Sequence, residues 1–382
     1  MIMAQMTTRD YTVQFLTPAF LGDAEQNGRW RTPPLKALLR QWWRVVYAAD
    51  HGFRINVDAM RREEGLLFGN AWLENEFSKS QVRLRIDRWE SGTLKSWNGL
   101  EQPNVTHPEV QRTNYKVGPH AYLGYGPLDG RGGTKLNERV KAVVDVGESA
   151  ILRLAMPNED ASRLHRALWL MDRYGTVGGR SRNGWGSFTL TPTNGTPTLE
   201  GQLPLRDWKA CLACDWPHAI GLDTTGPLIW QTEPRDDWKA VMRELAIIKI
   251  GLRTQFVFPN HRPPHNNPLQ RHWISYPITT HTVAEWKRKN LRLPNCLRFK
   301  ARPAPNASKQ VVGVIVHVPC TPPSEFQPNK AALQSTWQTV HKLLDELVKP
   351  TSARSYAMIA DADRRSKLKP ELDKVTLQRI PE

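Results

Sequence analysis

A glycine-rich segment between a predicted helix and a predicted strand is the feature that most constrains the fold of this chain. Residues 175–186 read GTVGGRSRNGWG, with five glycines in twelve positions. The preceding residues 159–174 predict a helix, because Leu164, Leu168 and Met171 share one face, and a strand is predicted after the glycines. This order is the reverse of a dinucleotide-binding fingerprint, and the Gly-Lys-Ser/Thr of a Walker A loop is missing. The segment therefore fits neither nucleotide-binding class.

The same segment carries two arginines, Arg180 and Arg182, on either side of Ser181. Glycines allow backbone N–H groups to approach an anion closely, and arginines supply the opposite charge. A glycine-rich turn can also be purely structural. The paired arginines favour contact with phosphate.

The net charge points in the same direction. The 382 residues contain 53 Lys and Arg against 37 Asp and Glu, a formal charge of +16, and 15 Trp. Arginine is more frequent than lysine, and its guanidinium group forms bidentate hydrogen bonds to phosphate and stacks on bases. Such a composition is typical of nucleic-acid-binding proteins, although a basic protein that is merely soluble has a similar one.

The positive charge is concentrated in residues 249–302, which contain eleven basic residues and a single acid, Glu285. His261, His265, His272 and His281 lie in the same window, with Trp273, Tyr276 and Trp286 between them. Mixed basic and aromatic residues suit a phosphate groove with stacking platforms. Arg253, Arg271 and His272 are candidate RNA contacts in this window. Its other basic residues are Lys249, Arg262, Lys287, Arg288, Lys289, Arg292, Arg298, Lys300 and Arg302.

A second basic stripe is predicted on an amphipathic helix that begins near Pro33 and Pro34, residues favoured in a first helical turn. Lys36, Arg40 and Arg44 follow at four-residue steps and share one face. The adjoining face is apolar and is predicted to be core; it consists of Leu35, Leu38, Leu39, Trp42, Trp43 and Val46.

Strands and helices alternate in both halves of the chain, which predicts two α+β units. We expect the first over residues 1–190 and the second over 207–360, joined by a Pro-, Gly- and Thr-rich linker at 191–206. Residues 361–382 are polar and are predicted to be a flexible tail. The elements expected in the second half include a helix at 235–248 and a strand at 251–258.

Four cysteines are too few for a secreted disulfide framework, and they predict a reducing cytoplasm. No apolar run is long enough to span a membrane, and the first residues do not read as a secretory signal. We therefore expect a cytoplasmic protein with no membrane partner.

Three motifs together resemble the RAMP superfamily of CRISPR-associated proteins: FLTPAFLG at 15–22, RTPPLKALLRQWWR at 31–44, and GGRSRNGWGSF at 178–188. GLLFGNAW at 65–72 resembles the Leu-Phe-Gly turn of the same family. More narrowly, the chain is similar to the subunit-one family of the type III-B Cmr effector complex. The resemblance covers the first half well, and residues 207–382 match only loosely.

The resemblance implies an α+β fold with two ferredoxin-like (RRM-like) domains in tandem. It also implies a noncatalytic RNA-binding subunit, near the 3′ end of the guide RNA (crRNA), that engages target RNA in antiviral defence beside the other Cmr subunits. No cofactor is implied. The residues expected to contact RNA are Lys36, Arg40, Arg44, Gly178, Gly179, Arg180, Ser181, Arg182 and Gly184.

Other functions stay open at this point. Some RAMP proteins are metal-independent ribonucleases that use a histidine, so processing of guide RNA precursors is an alternative. The candidates are His107, His120, His261, His265, His272 and His281, and Asp23 and Asp129 are weaker ones. Cys211-x-x-Cys214 with His218 is a partial zinc pattern, but buried thiols explain it better, and we expect no metal. A protein–protein adaptor that docks through its Trp and Pro residues is the third reading.

Overall fold

The chain has a mixed α+β fold with several small sheets. It is seen here in a computed structural model, which describes residues 5–25, 27–72, 77–259, 263–305 and 307–381. His261 and Arg262, two members of the basic window, lie outside the described residues.

The first half is built on a four-stranded antiparallel sheet with the order β2-β7-β1-β8. Two of its helices, α1 and α4, pack against each other. The helices of this half are α1 (Thr32–Asp50), α2 (Val57–Phe68), α3 (Pro119–Gly124) and α4 (Ala161–Tyr174). The strands are β1 (Met6–Phe15), β2 (Arg83–Ile86), β3 (Val105–Thr106), β4 (Lys116–Val117), β5 (Leu128–Asp129), β6 (Lys135–Leu136), β7 (Ser149–Pro157) and β8 (Phe188–Thr193).

The second half has a four-stranded antiparallel sheet with the order β13-β14-β12-β15. The helices are α5 (Trp238–Thr254), α6 (Gln270–Ile274), α7 (Ala284–Arg288), α8 (Lys330–Glu346) and α9 (Ala362–Leu372). The strands are β9 (Leu205–Asp207), β10 (Ile220–Asp223), β11 (Gly226–Pro227), β12 (Ile229–Thr232), β13 (Leu297–Ala304), β14 (Ala307–His317) and β15 (Leu377–Arg379). Short 3₁₀ helices lie at Gln111–Thr113, Asn158–Asp160, Ala210–Ala213, Ser324–Phe326 and Thr351–Ala353.

The two main sheets share one connectivity. In each, the first strand is followed by one or more helices (α1 and α2, or α5 to α7), then by two strands. Further helical residues (α4, or α8 and α9) lead to a last strand, which pairs with the first. The first and third strands are central in both sheets. The residues from β3 to β6 form an insertion between the second and third strands of the first sheet.

Two expectations for the second half are wrong. The segment 251–258 is not a strand, because α5 continues to Thr254. Residues 361–381 are not a flexible tail: they form α9 and β15, and β15 pairs with β12 as the outer strand of the sheet. The second unit therefore extends beyond residue 360. The proposed linker 191–206 overlaps the ends of β8 and β9, and Leu199 and Leu203 pack against the hydrophobic core.

The hydrophobic cores cross the division between the halves. The core under the first sheet includes Val312, Val314 and Val316 of β14, whereas the core around α5 includes Leu123 and Trp185 from the first half. The apolar face of α1 is buried as predicted, which confirms that it is core. The halves are consequently packed as one body, and the glycine-rich segment lies where they meet.

Candidate nucleic-acid interface

The glycine-rich segment, which we call the glycine loop (175–186), packs against the strand end that precedes α1. The Thr17 hydroxyl donates to the Gly184 carbonyl at 2.8 Å, and Gly186 N–H donates to the Pro18 carbonyl. Gly178 has a φ of +91°, and a Cβ there would lie 2.7 Å from the Phe20 carbonyl oxygen. Glycine is required here by close approach of two backbone segments.

Several N–H groups of the glycine loop already have partners within the chain. Gly179 N–H donates to the Phe20 carbonyl, and Gly184 N–H donates to the Ser181 carbonyl. Ser181 in turn uses its carbonyl to accept from the Thr176 hydroxyl. Gly178, Gly179, Ser181 and Gly184 thus have a packing role within the chain, and their contact with phosphate stays a prediction.

Arg182 and Asn183 join the loop to the second half. The Arg182 guanidinium donates to the Asn295 carbonyl at 3.0 Å, and Phe299 N–H of β13 donates to the Arg182 carbonyl. The Asn183 amide nitrogen donates to the Leu123 carbonyl, and its amide oxygen accepts from the Lys249 ammonium group. Arg182 is therefore engaged in the junction, whereas Arg180 is not.

Arg180, Lys249 and Arg253 form the centre of a positively charged cluster beside the loop. Arg180 is exposed and adopts a left-handed φ of +57°, while Lys249 and Arg253 lie one helical turn apart on α5. Burial, together with the charges of Arg253 and Arg180, holds the pKa of Lys249 well below its usual value. Within the described part of the chain, none of the three has an ion pair with a carboxylate, and Arg253 Nε is buried without a hydrogen-bond partner.

The deeper side of the cluster contains its one carboxylate. Glu109 accepts from Arg271 at 2.6 Å and from Arg364 of α9 at 2.7 Å. Burial would raise the pKa of Glu109, but the two arginines lower it to about 2. Burial lowers the pKa of His107 to about 4, so this imidazole is neutral at pH 7. Among the described residues, one carboxylate lies beside five basic side chains, so the cluster, defined as Arg180, Lys249, Arg253, Arg271 and Arg364, is short of negative charge.

The stripe on α1 has a different environment. Arg40 and Arg44 both contact Glu64 of α2, at 2.9 Å each, and Lys36 donates to the Ser80 hydroxyl at 2.7 Å. Glu64 is buried, and the two arginine side chains are 34% and 37% exposed. The carboxylate neutralises one of the two charges, so a phosphate at this face would have to compete with it.

Much of the remaining charge of the basic window is buried or paired. Lys300 of β13 donates to the carbonyls at the end of α4, with Gly175 O at 2.8 Å. Arg298 lies over the Trp42 ring at 5.0 Å, and Arg302 donates to Gln231. Arg288 contacts Glu285 on α7. The window is therefore not one continuous phosphate groove.

The expected stacking platforms of this window are core residues. Trp273, Tyr276 and Trp286 are buried, and Trp286 packs edge-on against Phe326. A different aromatic residue is exposed next to the cluster: Tyr125, at the end of α3, is 66% exposed and lies near Arg180.

The histidines proposed as catalysts are mostly inaccessible. His107, His120, His265 and His272 are buried, and His120 and His272 lie on helices rather than in the predicted loops. Burial lowers the pKa of His120 and His272 to about 4. The remaining described candidate, His281, stacks on Phe258.

The weaker catalytic and metal candidates are held in local contacts. Asp23 accepts from Asn27 N–H, and Asp129 contacts Arg131. His218 accepts from Arg206 and donates to the Trp216 carbonyl, which uses both ring nitrogens. Among the residues described, no group of three or more His, Cys, Asp or Glu side chains is placed to hold a metal ion.

No described helix is both long and apolar enough to cross a bilayer.

Four residues of this site were not singled out from the sequence as RNA contacts: Glu109, Tyr125, Lys249 and Arg364. Lys249 lies in the basic window, but the predicted helix ends at 248 and Arg253 falls in a predicted strand, so the sequence did not indicate that the two lie one turn apart on α5. Arg364 was assigned to the tail. Glu109 and Tyr125 had no local signal, because their neighbours in the fold are distant in sequence.

The chain was compared with known proteins. Two solved structures are similar in fold. One is the apo crystal structure of Cmr1 from Pyrococcus furiosus, with a TM-score of 0.42, 14% identity, and 81% of this chain and 87% of that chain covered. The other is a cryo-EM structure of type III-B Cmr-beta bound to cognate target RNA and AMPPnP, with a TM-score of 0.41, 11% identity, and 88% and 100% covered.

No curated protein sequence matches the chain. The sequence model of the RAMP superfamily, however, matches residues 12–189, from β1 to the second residue of β8. This range contains all four motifs described above, including those on α1 and in the glycine loop. Over residues 12–189, the chain is therefore similar to the RAMP superfamily.

Proposed function

We propose that the chain is a noncatalytic RNA-binding subunit of a type III-B CRISPR effector complex, with guide RNA, target RNA and the other subunits as partners. The observation that carries this proposal is the cluster at the glycine loop, in which Arg180, Lys249 and Arg253 have no carboxylate partner in the described chain. Like charges held together without a counter-ion destabilise a protein. A bound anion would relieve this repulsion, and RNA phosphate is the anion that the similarity to the RAMP superfamily suggests.

The composition of the cluster favours backbone contact over base reading. Guanidinium and ammonium groups bind phosphate oxygens whatever the base, so sequence selection would come from guide–target pairing. The exposed ring of Tyr125 adds a surface on which one unpaired base can stack. We place the RNA path across the glycine loop, with Arg180 at its outer edge and Arg253 beneath it.

We further propose that each half is a ferredoxin-like unit, with the second extended to β15. The shared strand order and the strand–helix–strand–strand–helix–strand connectivity support this proposal. The position near the 3′ end of the guide RNA rests on the family resemblance alone. A photoreactive nucleotide at that end of the guide, in a reconstituted complex, should crosslink to this subunit.

The test is RNA binding by an Arg180→Gln/Arg253→Gln variant over a series of salt concentrations with EDTA present. If both side chains contact phosphate, the slope of log K against log salt should fall by about 1.4 to 1.8, which is two contacts at about 0.7 to 0.9 each. The matched control is Arg131→Gln/Arg288→Gln, which removes the same charge from residues that are 86% and 71% exposed and paired with neighbouring acids. The control should keep the parent slope.

Stability gives an independent check on the variant. Removing Arg253 eliminates a buried unbonded donor and relieves repulsion, so the double variant should unfold at the same or a higher temperature than the parent. Loss of binding with stability retained supports the proposal. Equal salt slopes for the variant and the parent would contradict it. Cleaved RNA on a denaturing gel of the same samples would instead identify a metal-independent ribonuclease.

A further inference from the structure

Cys296 and Cys320 lie side by side at the open end of the β13–β14 pair. Cys296 immediately precedes β13, and Cys320 follows β14 by three residues. Their sulfur atoms are 3.6 Å apart, and Val318 N–H donates to the Cys296 carbonyl, which fixes the two segments together. A disulfide has its sulfur atoms about 2.05 Å apart, so closure requires a movement of about 1.5 Å.

The surroundings of the pair favour reaction. Both cysteines are partly exposed and line a cavity of about 120 Å³, together with Arg182 and Arg298. A hydrogen bond from the Cys320 thiol lowers the pKa of Cys296 to about 7, and the charges of the two arginines act in the same direction. A thiolate, rather than a thiol, is the nucleophile toward oxidants. The hydrogen bond and the two arginine charges therefore favour the reactive form of Cys296.

We propose that Cys296 and Cys320 are a thiol–disulfide modification site, oxidised by hydrogen peroxide and restored by a dithiol. The Cys296 thiolate attacks one peroxide oxygen, the O–O bond breaks, and hydroxide leaves as the sulfenic acid forms. The Cys320 sulfur then attacks the sulfenic sulfur, the S–O bond breaks, and water leaves. Overall, two thiols lose two electrons and two protons, and one peroxide becomes two waters.

The other two cysteines provide an internal comparison. Cys211 is buried next to the Arg206 carbonyl, and burial raises its pKa to about 12. Burial also raises the pKa of Cys214. These thiols should stay reduced at a peroxide dose that oxidises the first pair.

The disulfide would act on the junction between the two halves. Arg182 of the glycine loop donates to the carbonyl of Asn295, the residue before Cys296. A covalent link at Cys296 restrains that carbonyl, and through it the base of the glycine loop. Oxidation is thus expected to strengthen the attachment of the loop to the second half.

The experiment uses the full chain, reduced and then treated with graded hydrogen peroxide at pH 7.5. After alkylation, trypsin places Cys296 in residues 293–298, Cys320 in 310–330, and both other cysteines in 210–235. Mass spectrometry should find 293–298 joined to 310–330, with 210–235 alkylated twice, and the link should disappear after dithiothreitol. The Cys211→Ser variant should form the same link.

Single variants then identify the attacking sulfur. Cys320→Ser should accumulate a sulfenic acid at Cys296 that dimedone traps, whereas Cys296→Ser should leave Cys320 unmodified at the same dose. Near-UV circular dichroism checks that both variants fold. The proposal is overturned if 293–298 and 310–330 stay fully alkylated at a dose that oxidises free glutathione. A disulfide that forms within 210–235 or between chains in their place would also overturn it.

Discussion

Replacing Gly184 by alanine separates the packing role of the glycine loop from its role in binding. Gly184 has a φ of +95°, and an added Cβ would lie 3.0 Å from Met242 Sδ and 3.4 Å from Leu245 Cδ1. Both neighbours belong to α5, the helix that carries Lys249 and Arg253. The substitution therefore strains the backbone and crowds two apolar side chains of α5.

The two costs can be estimated separately. A left-handed conformation costs a non-glycine residue about 1 to 2 kcal/mol. Overpacking a filled core site adds about 1 to 3 kcal/mol. Gly184→Ala should therefore reduce the free energy of unfolding by about 2 to 5 kcal/mol.

Gly195 provides a matched control. It has a φ of +73°, but nothing lies within 4 Å of the position that its Cβ would occupy. Gly195→Ala should cost only the backbone contribution, about 1 to 2 kcal/mol. At the other extreme, a Cβ on Gly186 would lie 1.9 Å from the Val177 carbonyl oxygen, a backbone atom that cannot move aside. Gly186→Ala should fail to give folded protein.

Urea unfolding at equilibrium measures these differences, and RNA binding under native conditions completes the test. Folded Gly184→Ala protein should bind RNA within about threefold of the parent, because no side chain of the cluster is altered. Equal unfolding free energies for Gly184→Ala and Gly195→Ala would refute the packing argument. Loss of RNA binding in a Gly184→Ala protein of undiminished stability would show that the loop backbone itself contacts RNA.

Three further predictions concern the titrating and aromatic groups around the cluster. RNA phosphate should raise the lowered pKa of Lys249, so binding takes up a proton, and affinity falls as pH rises above the pKa that Lys249 has in the free protein. Calorimetry in buffers of different ionisation enthalpy should detect this proton uptake, and Lys249→Met should lose it. The pKa of Glu109 is about 2, against 4.5 when unperturbed, so the stability that its carboxylate contributes is present above pH 4.5 and is lost as pH falls toward 2. Glu109→Gln should therefore lose less unfolding free energy than the parent between pH 4.5 and 2. An equal loss in both proteins would contradict the pairing of Glu109 with the two arginines. Tyr125→Ala should weaken binding of single-stranded RNA by about 1 to 3 kcal/mol, whereas Tyr125→Trp should keep the affinity of the parent, as measured by fluorescence anisotropy. Equal affinities for the alanine variant and the parent would show that Tyr125 does not stack on RNA.

The sequence predicted those elements whose signals are local. The apolar stripe of α1, the helix before the glycines and the motifs of the RAMP superfamily are all patterns within short segments. Arg180 was selected because it lies among glycines, and it is the exposed arginine of the loop. In each of these cases, the residues that determine the structure are close together in the sequence.

The partners of the charged residues could not be predicted, because they are distant in sequence. Arg40 and Arg44 meet Glu64 of another helix, and Arg271 meets Glu109 at a separation of 162 residues. No periodicity in the sequence encodes such pairs.

The burial of the basic residues on β13 was missed for a different reason. Leu297 to Arg302 alternate apolar and basic residues, a pattern typical of a strand with one face toward solvent. Here the basic face is covered by the first half of the chain: Arg298, Lys300 and Arg302 are all buried. An alternating pattern identifies two faces but does not say whether a neighbouring unit covers the polar one.

The covered face of β13 has a consequence for dissecting the protein. Lys300 places its ammonium group on the carbonyls at the end of α4, so each half holds a polar group that only the other half satisfies. Expressed separately, either fragment would expose part of a shared core together with these groups, and we expect it to aggregate. Made together, or cut by a protease between residues 191 and 206 after folding, the two pieces should stay associated and elute as one species. The two halves therefore depend on each other as the subunits of an obligate heterodimer do, with a peptide segment joining them.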